Sequence, residues 1–435
     1  MPTEPTPLHF RERAEALAPE LTALRHALHR EPEIGLALPL TQAKVLDALK
    51  GLPLEITTGK ALGSVVAVLR GGRPGPAVLL RGDMDALPLQ ELADVPYRST
   101  VDGVMHACGH DQHVAMLVGA ARLLGERQAE LAGTVVFMFQ PGEESHDGAS
   151  YMIEEGLLDA AGQPLVGAYS VHVSSNGPRC GTFSARVGTQ TAGNAELKVV
   201  VRGKGGHGST PHTAADPVPV AAEMVLALQN LVTRAASVFD PVVLTVGLFR
   251  AGTKLNIIPG TAEFEATVRS TSPEAMADFL PRAVRLVEGI ADGWGMTADV
   301  DTREGYPAMI AAEEAVELGH EVVGELYGED GWRYDEHPIM ASEDFSRITA
   351  VAPGVQLGLS ARPAAFDGAD EATAPFNHSA YAVFDDAALP RGAAVLAGMA
   401  ARRLSAGQER PCSRAARSRM AGSSAIRARP GQNVS

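Results

Sequence analysis

Hydrophobic spacing along the first part of the chain alternates between two rhythms. Over residues 22–49 the apolar positions recur at helical intervals, predicting two helices with a break at Glu31-Pro32-Glu33-Ile34-Gly35. Short apolar runs bounded by turn residues follow at 64–69, 77–81, 134–139 and 166–173, and these predict strands, with a helix over 114–124 between the second and third. Unbroken apolar strands that alternate with helices must be buried on both faces. The pattern therefore predicts an α/β fold on a mostly parallel sheet with cover on both sides.

Near residue 192 the rhythm changes. A strand at 195–202, a helix at 217–234, strands at 242–249 and 262–269, a helix at 273–291 and a strand at 297–302 follow one another. The order β-α-β-β-α-β is that of a ferredoxin-like unit, inserted between two parts of the first domain. The expected organisation is a first part at 1–191, an inserted domain at 192–302 and a second part at 303–403, with helices at 311–327 and 390–402. Beyond Leu404 the apolar period ends and Arg, Ser, Ala and Gly dominate, so 404–435 reads as a disordered Arg-rich tail.

Composition narrows the function. A formal charge of −15 over 435 residues excludes a protein that tracks nucleic-acid phosphates, which would carry a basic face, and leaves a small molecule as the expected partner. No apolar run reaches the roughly 20 residues of a membrane span, and no basic stretch followed by an apolar run opens the chain. A soluble cytoplasmic protein is expected. The cysteines at 108, 180 and 412 are too scattered for a disulfide scaffold, so one that matters should be a free thiol or a metal ligand.

The polar residues gather where predicted strands end, which in open parallel sheets is where ligands bind. The 77–81 strand runs into Gly82-Asp83-Met84-Asp85, the 134–139 strand into Gln140-Pro141-Gly142-Glu143-Glu144, and the 166–171 run into His172. The densest cluster is Met105-His106-Ala107-Cys108-Gly109-His110-Asp111-Gln112-His113, where a thiol and an imidazole two residues apart can reach one metal or two adjacent ones. Of the adjacent Glu143 and Glu144, one can ligate while the other acts as general base toward water whose pKa a metal lowers to about 7. A lone His172, or a lone His378 in Asn377-His378-Ser379, would ordinarily be a packing or surface residue. With Cys108, His110 and Glu144 they complete a mixed S, N, O set able to hold two divalent ions ~3.5–4 Å apart.

Other candidates are weaker. Asp85 could fix the tautomer of an imidazole or be a plain loop carboxylate. The Gly203-Lys204-Gly205-Gly206-His207-Gly208-Ser209 loop lacks the Gly-Lys-Ser/Thr ending of a phosphate loop, and its His207 suits an oxyanion donor. Asn256 and Arg269 could bind a substrate carboxylate, or be a turn Asn and a surface Arg.

Taken in chain order, several of these segments resemble a known family. They are Arg25-His26-Ala27-Leu28-His29-Arg30-Glu31-Pro32-Glu33, Arg81-Gly82-Asp83-Met84-Asp85-Ala86-Leu87-Pro88, Met105 through His113, Gln140-Pro141-Gly142-Glu143-Glu144, Gly205-Gly206-His207-Gly208, Asn256-Ile257-Ile258-Pro259, Ser342-Glu343-Asp344-Phe345 and Asn377-His378-Ser379. They resemble the dinuclear-metal aminoacylase and carboxypeptidase superfamily, in its amidohydrolase branch of hippurate hydrolases, N-acyl-amino-acid amidohydrolases and indole-acetyl-amino-acid hydrolases.

The resemblance implies a metallohydrolase domain whose inserted ferredoxin-like domain serves as a lid and pairs with its twin in a homodimer. It implies Cys108, His110, Glu144, His172 and His378 as ligands of two divalent ions, zinc or manganese, with cobalt or nickel also open. It makes Glu143 the general base, places Asn256 and Arg269 near the substrate's carboxylate, and has His207 stabilise the tetrahedral intermediate within its own subunit or across the dimer. The expected reaction is hydrolysis of the amide of an N-acyl amino acid. The alternatives are a dipeptidase or carboxypeptidase of the same superfamily, or a non-catalytic metal-binding protein. Two departures stand out: Leu36-Ala37-Leu38-Pro39 replaces an acidic position, and the Arg-rich end has no family counterpart.

Overall fold

The computed structural model describes residues 10–366 and 375–406. Its main sheet has eight strands, in the spatial order Glu55–Thr58, Val65–Arg70, Ala132–Gln140, Arg73–Asp83, Leu165–Ser174, Gly354–Ser360, Phe183–Ala185 and Trp332–Tyr334. The four central strands run parallel to one another, while antiparallel pairings join Val65–Arg70 to Ala132–Gln140 and Gly354–Ser360 to Phe183–Ala185. The mostly parallel α/β architecture is thus present, with mixed flanks.

Strand periodicity sorts the core into two layers. Val78, Leu80, Val135, Phe137, Phe139, Val171 and Val173 face the helices Phe10–Arg30, His110–Glu126, Glu313–Tyr327 and Ala388–Ala406. Their neighbours Ala77, Leu79, Val136, Met138 and Ala168 point the other way, onto Ala149, Met152, Leu157, Phe345 and Ile348. All nine residues of Ala132–Gln140 are buried, which is why that strand shows no polar alternation.

The inserted elements form a separate antiparallel sheet in the order Val242–Ala251, Thr261–Ser270, Gly193–Arg202 and Thr297–Glu304, with helices Pro217–Ala235 and Pro273–Gly293 packed on it. Ala195, Leu197, Val199 and Val201 alternate inward on the first strand, and the buried core beneath the helices is drawn wholly from residues 195–291. Each helix opens on a cap and a proline: Asp216 accepts from Val218 N–H and Ser272 from Ala275 N–H.

Several boundaries differ from expectation. The first helix starts at Phe10, because Phe10, Ala14, Leu17 and Leu21 extend the buried stripe that Leu28 continues. The helix expected from 114 begins at His110, since His110, Asp111, Gln112 and His113 are all buried polar residues rather than a solvated loop. The central strand Gly354–Ser360 was not expected at all. The final helix runs through Ala406, so the expected tail starts too early at 404, and the rest of that segment, 407–435, lies outside the described residues. No helix among the described residues is long and apolar enough to cross a membrane.

Candidate metal centre

The cluster is assembled at the carboxyl ends of the central strands. Gly109 has φ 86°, and a Cβ there would stand 2.5 Å from Val173 Cγ2, so only glycine lets the chain turn tightly enough for Cys108 and His110 to face the same point. Cys108, His110 and His172 form one group, and Cys108, Glu144 and His378 a second. Within each group the candidate ligand atoms lie within 4.8 Å of one another, and Cys108 belongs to both.

Hydrogen bonds fix which imidazole nitrogens are free. His110 Nδ1 donates to the Asp85 carbonyl at 2.8 Å, and His172 Nδ1 donates to the Val173 carbonyl at 3.0 Å. A carbonyl only accepts, so each Nε2 is left to the cluster, that of His172 lying 3.5 Å from Cys108 Sγ. His113 is different. Its Nε2 accepts from Val173 N–H at 2.9 Å and its Nδ1 donates to Asp83 at 2.5 Å, so both nitrogens are occupied. Of His110 and His113, only His110 presents a free nitrogen to the group.

Two of these ligand atoms are poorly satisfied within the chain: His110 Nε2 is buried without a hydrogen-bond partner, and buried Glu144 Oε1 has the His378 imidazole beside it at 3.2 Å. An unpaired buried polar atom is costly, and a cation between soft sulfur, two imidazoles and a carboxylate would satisfy both. The residues therefore fit divalent ions. Without them the groups share protons. Burial alone would raise the Cys108 thiol, but His172 and His110 carry it well below its usual range. Burial opposes a charge on His172, yet Cys108 lifts it to about 9, and hydrogen bonds to Cys108 and Glu144 lift His378 to about 10.

The Glu143–Glu144 turn is clasped from below. Both oxygens of Asp85 are engaged, accepting from Glu143 N–H and Glu144 N–H at 3.0 Å each. Asp85 was read either as a carboxylate that orients an imidazole or as a plain loop carboxylate. In the structure the carboxylate caps the turn with one oxygen 3.5 Å from His110 Nδ1, while the nearer acceptor for that nitrogen is the Asp85 backbone carbonyl at 2.8 Å. Glu143 is buried, and burial with the nearby Glu343, Asp344 and Glu144 pushes its carboxyl well above the usual range.

His378 arrives from the far end of the chain. It has φ 67°, its N–H donates to the Ala107 carbonyl, and its Nε2 lies 3.2 Å from Glu144 Oε1. Asn377 fastens it by donating to the carbonyls of Cys108 and Val173 while accepting from Ser175 N–H.

Sequence reasoning assigned no role to Asn377, Arg81, Glu343 or Asp344. Buried Arg81 donates to Asp83 at 2.7 Å, Glu343 at 2.8 Å, Asp344 at 3.0 Å and Gln140 at 2.9 Å. Burial and Glu343 still hold Asp344 at about 8 against the pull of Arg81. The signal available for these residues was the charged Ser342-Glu343-Asp344 segment, whose partner lies more than 250 positions away.

The inserted unit places its candidates elsewhere. His207 is exposed on the two-residue strand Gly206–His207, paired with Ile257–Ile258, and its Nδ1 accepts from Ser209. Exposed Asn256 accepts from Gly208 N–H through its carbonyl, which puts it beside the His207 loop. Arg269 donates to Met340 O and Ser342 Oγ, next to Glu343. Among the described residues no hydrogen bond or ion pair joins His207 or Asn256 to the Cys108 cluster.

Comparison with known proteins agrees with this geometry. The family described as Peptidase family M20/M25/M40 matches residues 79–402. Thermostable carboxypeptidase 2 of Saccharolobus solfataricus is 35% identical over 343 residues, covering 78% of this chain and 85% of that protein. The hippurate hydrolase of Campylobacter jejuni is 32% identical over 382 residues, covering 88% and 96%. The crystal structure of the YXEP protein of Bacillus subtilis, a dinuclear metal-binding peptidase from family M20, superimposes with a TM-score of 0.75 at 30% identity, covering 90% of this chain and 99% of that one. With its own cluster of sulfur, nitrogen and oxygen donors in place, the chain belongs to peptidase family M20/M25/M40 and is a metal-dependent amidohydrolase.

Proposed function

We propose that this chain hydrolyses the amide bond of N-acyl amino acids, releasing a carboxylic acid and a free amino acid, at two divalent ions held by Cys108, His110, Glu144, His172 and His378. The observation that carries the reading is the Glu143–Glu144 pair: one carboxylate lies among the candidate ligands with an oxygen 3.2 Å from His378 Nε2, and its neighbour stands buried beside it with a raised pKa. Cys108, shared between the two donor groups, would be a ligand common to both. Zinc or manganese suits these donors, and cobalt or nickel is compatible with them; bound there, such ions supply Lewis acidity to the amide carbonyl and lower the pKa of water.

The remaining work belongs to side chains. Glu143 takes a proton from the attacking water and returns it to the leaving amine, a role that its raised pKa favours. His207 donates to the developing oxyanion, and Arg269 and Asn256 receive the substrate carboxylate. Because His207 is solvent-exposed and unconnected to the cluster in its own chain, we place it in a dimer formed through the inserted unit, which acts as lid. A cytoplasmic location accompanies this reading, since the thiolate ligand stays reduced there.

The hippurate hydrolase relative supports an aryl-acyl substrate, whereas the carboxypeptidase relative favours a second reading, cleavage of peptides at a free carboxyl end. A panel of benzoyl, acetyl and indole-acetyl amino acids beside unmodified dipeptides separates the two: faster turnover of the acylated compounds is expected, and dipeptides as better substrates would overturn the first reading. Glu143→Gln is expected to lower kcat by about 10²–10⁴-fold with metal content unchanged. A near-normal rate in that variant would remove Glu143 as the base.

A further inference from the structure

The inserted unit joins the larger sheet through two crossings of the chain, one at the start of the Gly193–Arg202 strand and one after the Thr297–Glu304 strand. The crossings are tied together. Asn194 N–H donates to the Tyr306 carbonyl at 3.0 Å, Gly305 N–H donates to the Asn194 carbonyl at 2.9 Å, and Asn194 Oδ1 accepts from Tyr306 N–H at 2.8 Å. A Cβ on Gly305 would stand 2.6 Å from the Asn194 side-chain amide, so the two segments are packed too closely to move independently.

From this knot one side chain reaches the reacting groups. The Tyr306 hydroxyl donates to the Glu143 carbonyl at 2.7 Å and accepts from Asp147 N–H at 3.2 Å, which spans both ends of the turn bearing Glu143 and Glu144. Arg347 forms a second strut, donating to the Asp147 carboxylate and to the Gly305 carbonyl, each at 2.8 Å. The turn needs such support. Ser145 and Asp147 have φ 66° and 53°, backbone that side chains bearing a Cβ rarely adopt and that persists only where surroundings hold it.

We infer that Tyr306 is a positioning residue for Glu143, relaying the setting of the two crossings, and with them the inserted unit, to the turn that carries the base. The inference rests on the proton-carrying role proposed for Glu143. A phenol hydroxyl can donate and accept at once, so phenylalanine keeps the ring while losing both links. Displacement of a reacting group by about 1 Å can cost on the order of 10²-fold in rate, which gives such a relay kinetic weight.

The test uses the metal-loaded full chain. Tyr306→Phe is expected to lower kcat by about 10- to 100-fold on an N-acyl amino acid that the wild type hydrolyses, with KM and metal content little changed and with faster amide hydrogen exchange in 142–148 but not in 105–113. Asn194→Ala, which lies at the crossing, is expected to act in the same direction more weakly, and the double variant to show less than the product of the single effects. Tyr306→Phe with kcat within about twofold of wild type overturns the inference, as does Asn194→Ala with exchange changed only in its own strand. Loss of metal and early melting across the whole chain in Tyr306→Phe also overturns it, because the role would then be merely structural. The exchange arm needs no substrate. If no N-acyl amino acid is hydrolysed, the substrate class fails while the coupling of crossing and turn is still read.

Discussion

The donor cluster and the His207 loop are both built on glycine-rich segments near residues that sequence reasoning marked as functional, yet they end in opposite physical states. At the cluster, Gly109 brings Cys108 and His110 together inside a buried frame in which Arg81, Asp83, Gln140, Glu343 and Asp344 are fully engaged. At the loop, the glycines leave His207 exposed, held by Ser209, Thr210 and the Ile257–Ile258 strand. The candidate ligands are gathered within this chain alone, whereas the candidate oxyanion donor faces outward. Rigid polar frames position metal ligands; an exposed imidazole on a separate sheet can be brought to the substrate when the inserted units move or pair.

The largest effect expected from breaking this asymmetry is in the frame. Arg81→Met leaves the Asp83 and Glu343 carboxylates buried without that countercharge and takes one donor from Asp344, and removal of one partner from such a network costs about 3–5 kcal/mol. Urea denaturation should show that loss together with lost metal content. His207→Ala should do the opposite: kcat falls by about 10²–10³-fold, while thermal midpoint and metal content stay at wild-type values. Mixing His207→Ala with Glu143→Gln sharpens the contrast. Recovery of activity in the mixed dimers would show that His207 serves the neighbouring subunit, and no recovery would assign it to its own.

A smaller effect is expected in the pH dependence of metal uptake. In the metal-free chain His172 is held at about 9 and His378 at about 10, above the ordinary imidazole value, so both carry a proton at pH 7. Each must lose it to ligate. Burial opposes a charge on Cys108, but His172 and His110 shift it the other way, toward the thiolate. Apparent metal affinity should therefore rise with pH through the neutral range and level off above about 10, with protons released on binding. Titration calorimetry in buffers of different ionisation heat measures the protons directly, and uptake independent of pH would contradict the assignment of these imidazoles as ligands.

The same contrast explains what could be read from the chain. Strands such as Ala132–Gln140 were legible because burial on both faces leaves an unbroken apolar run. Gly354–Ser360 was not, because Gly354, Gln356 and Gly358 interrupt the apolar signal; Gly358 is small because a Cβ would stand 2.7 Å from Ser184 Oγ, a contact invisible in local spacing. Glu144 and His172 stood at the ends of apolar runs, and Cys108 and His110 in the dense 105–113 cluster before a helix. His378, half-exposed and in left-handed backbone, carried no local signal beyond its motif. Arg81 and Glu343 pair across 262 positions, and no periodicity reports such a pairing. Asp85 was noticed for the right neighbourhood, but the sequence does not show that its own carbonyl lies nearer His110 Nδ1 than its carboxylate does.

The smallest expected effect tests whether the inserted core is energetically separate from the cluster. Asp216 caps the Pro217–Ala235 helix by accepting from Val218 N–H at 3.0 Å. Asp216→Ala removes that acceptor at a cost of about 1 kcal/mol, and the helix lies in a core drawn from residues 195–291 with none from the main sheet. Hydrogen exchange should accelerate across 217–235 and the strands beneath it, while the donor cluster keeps its metal affinity. Faster exchange around His110 and Glu144 in the same variant would mean that the two cores open together, and the division between a rigid half and a movable half of the site would have to be abandoned.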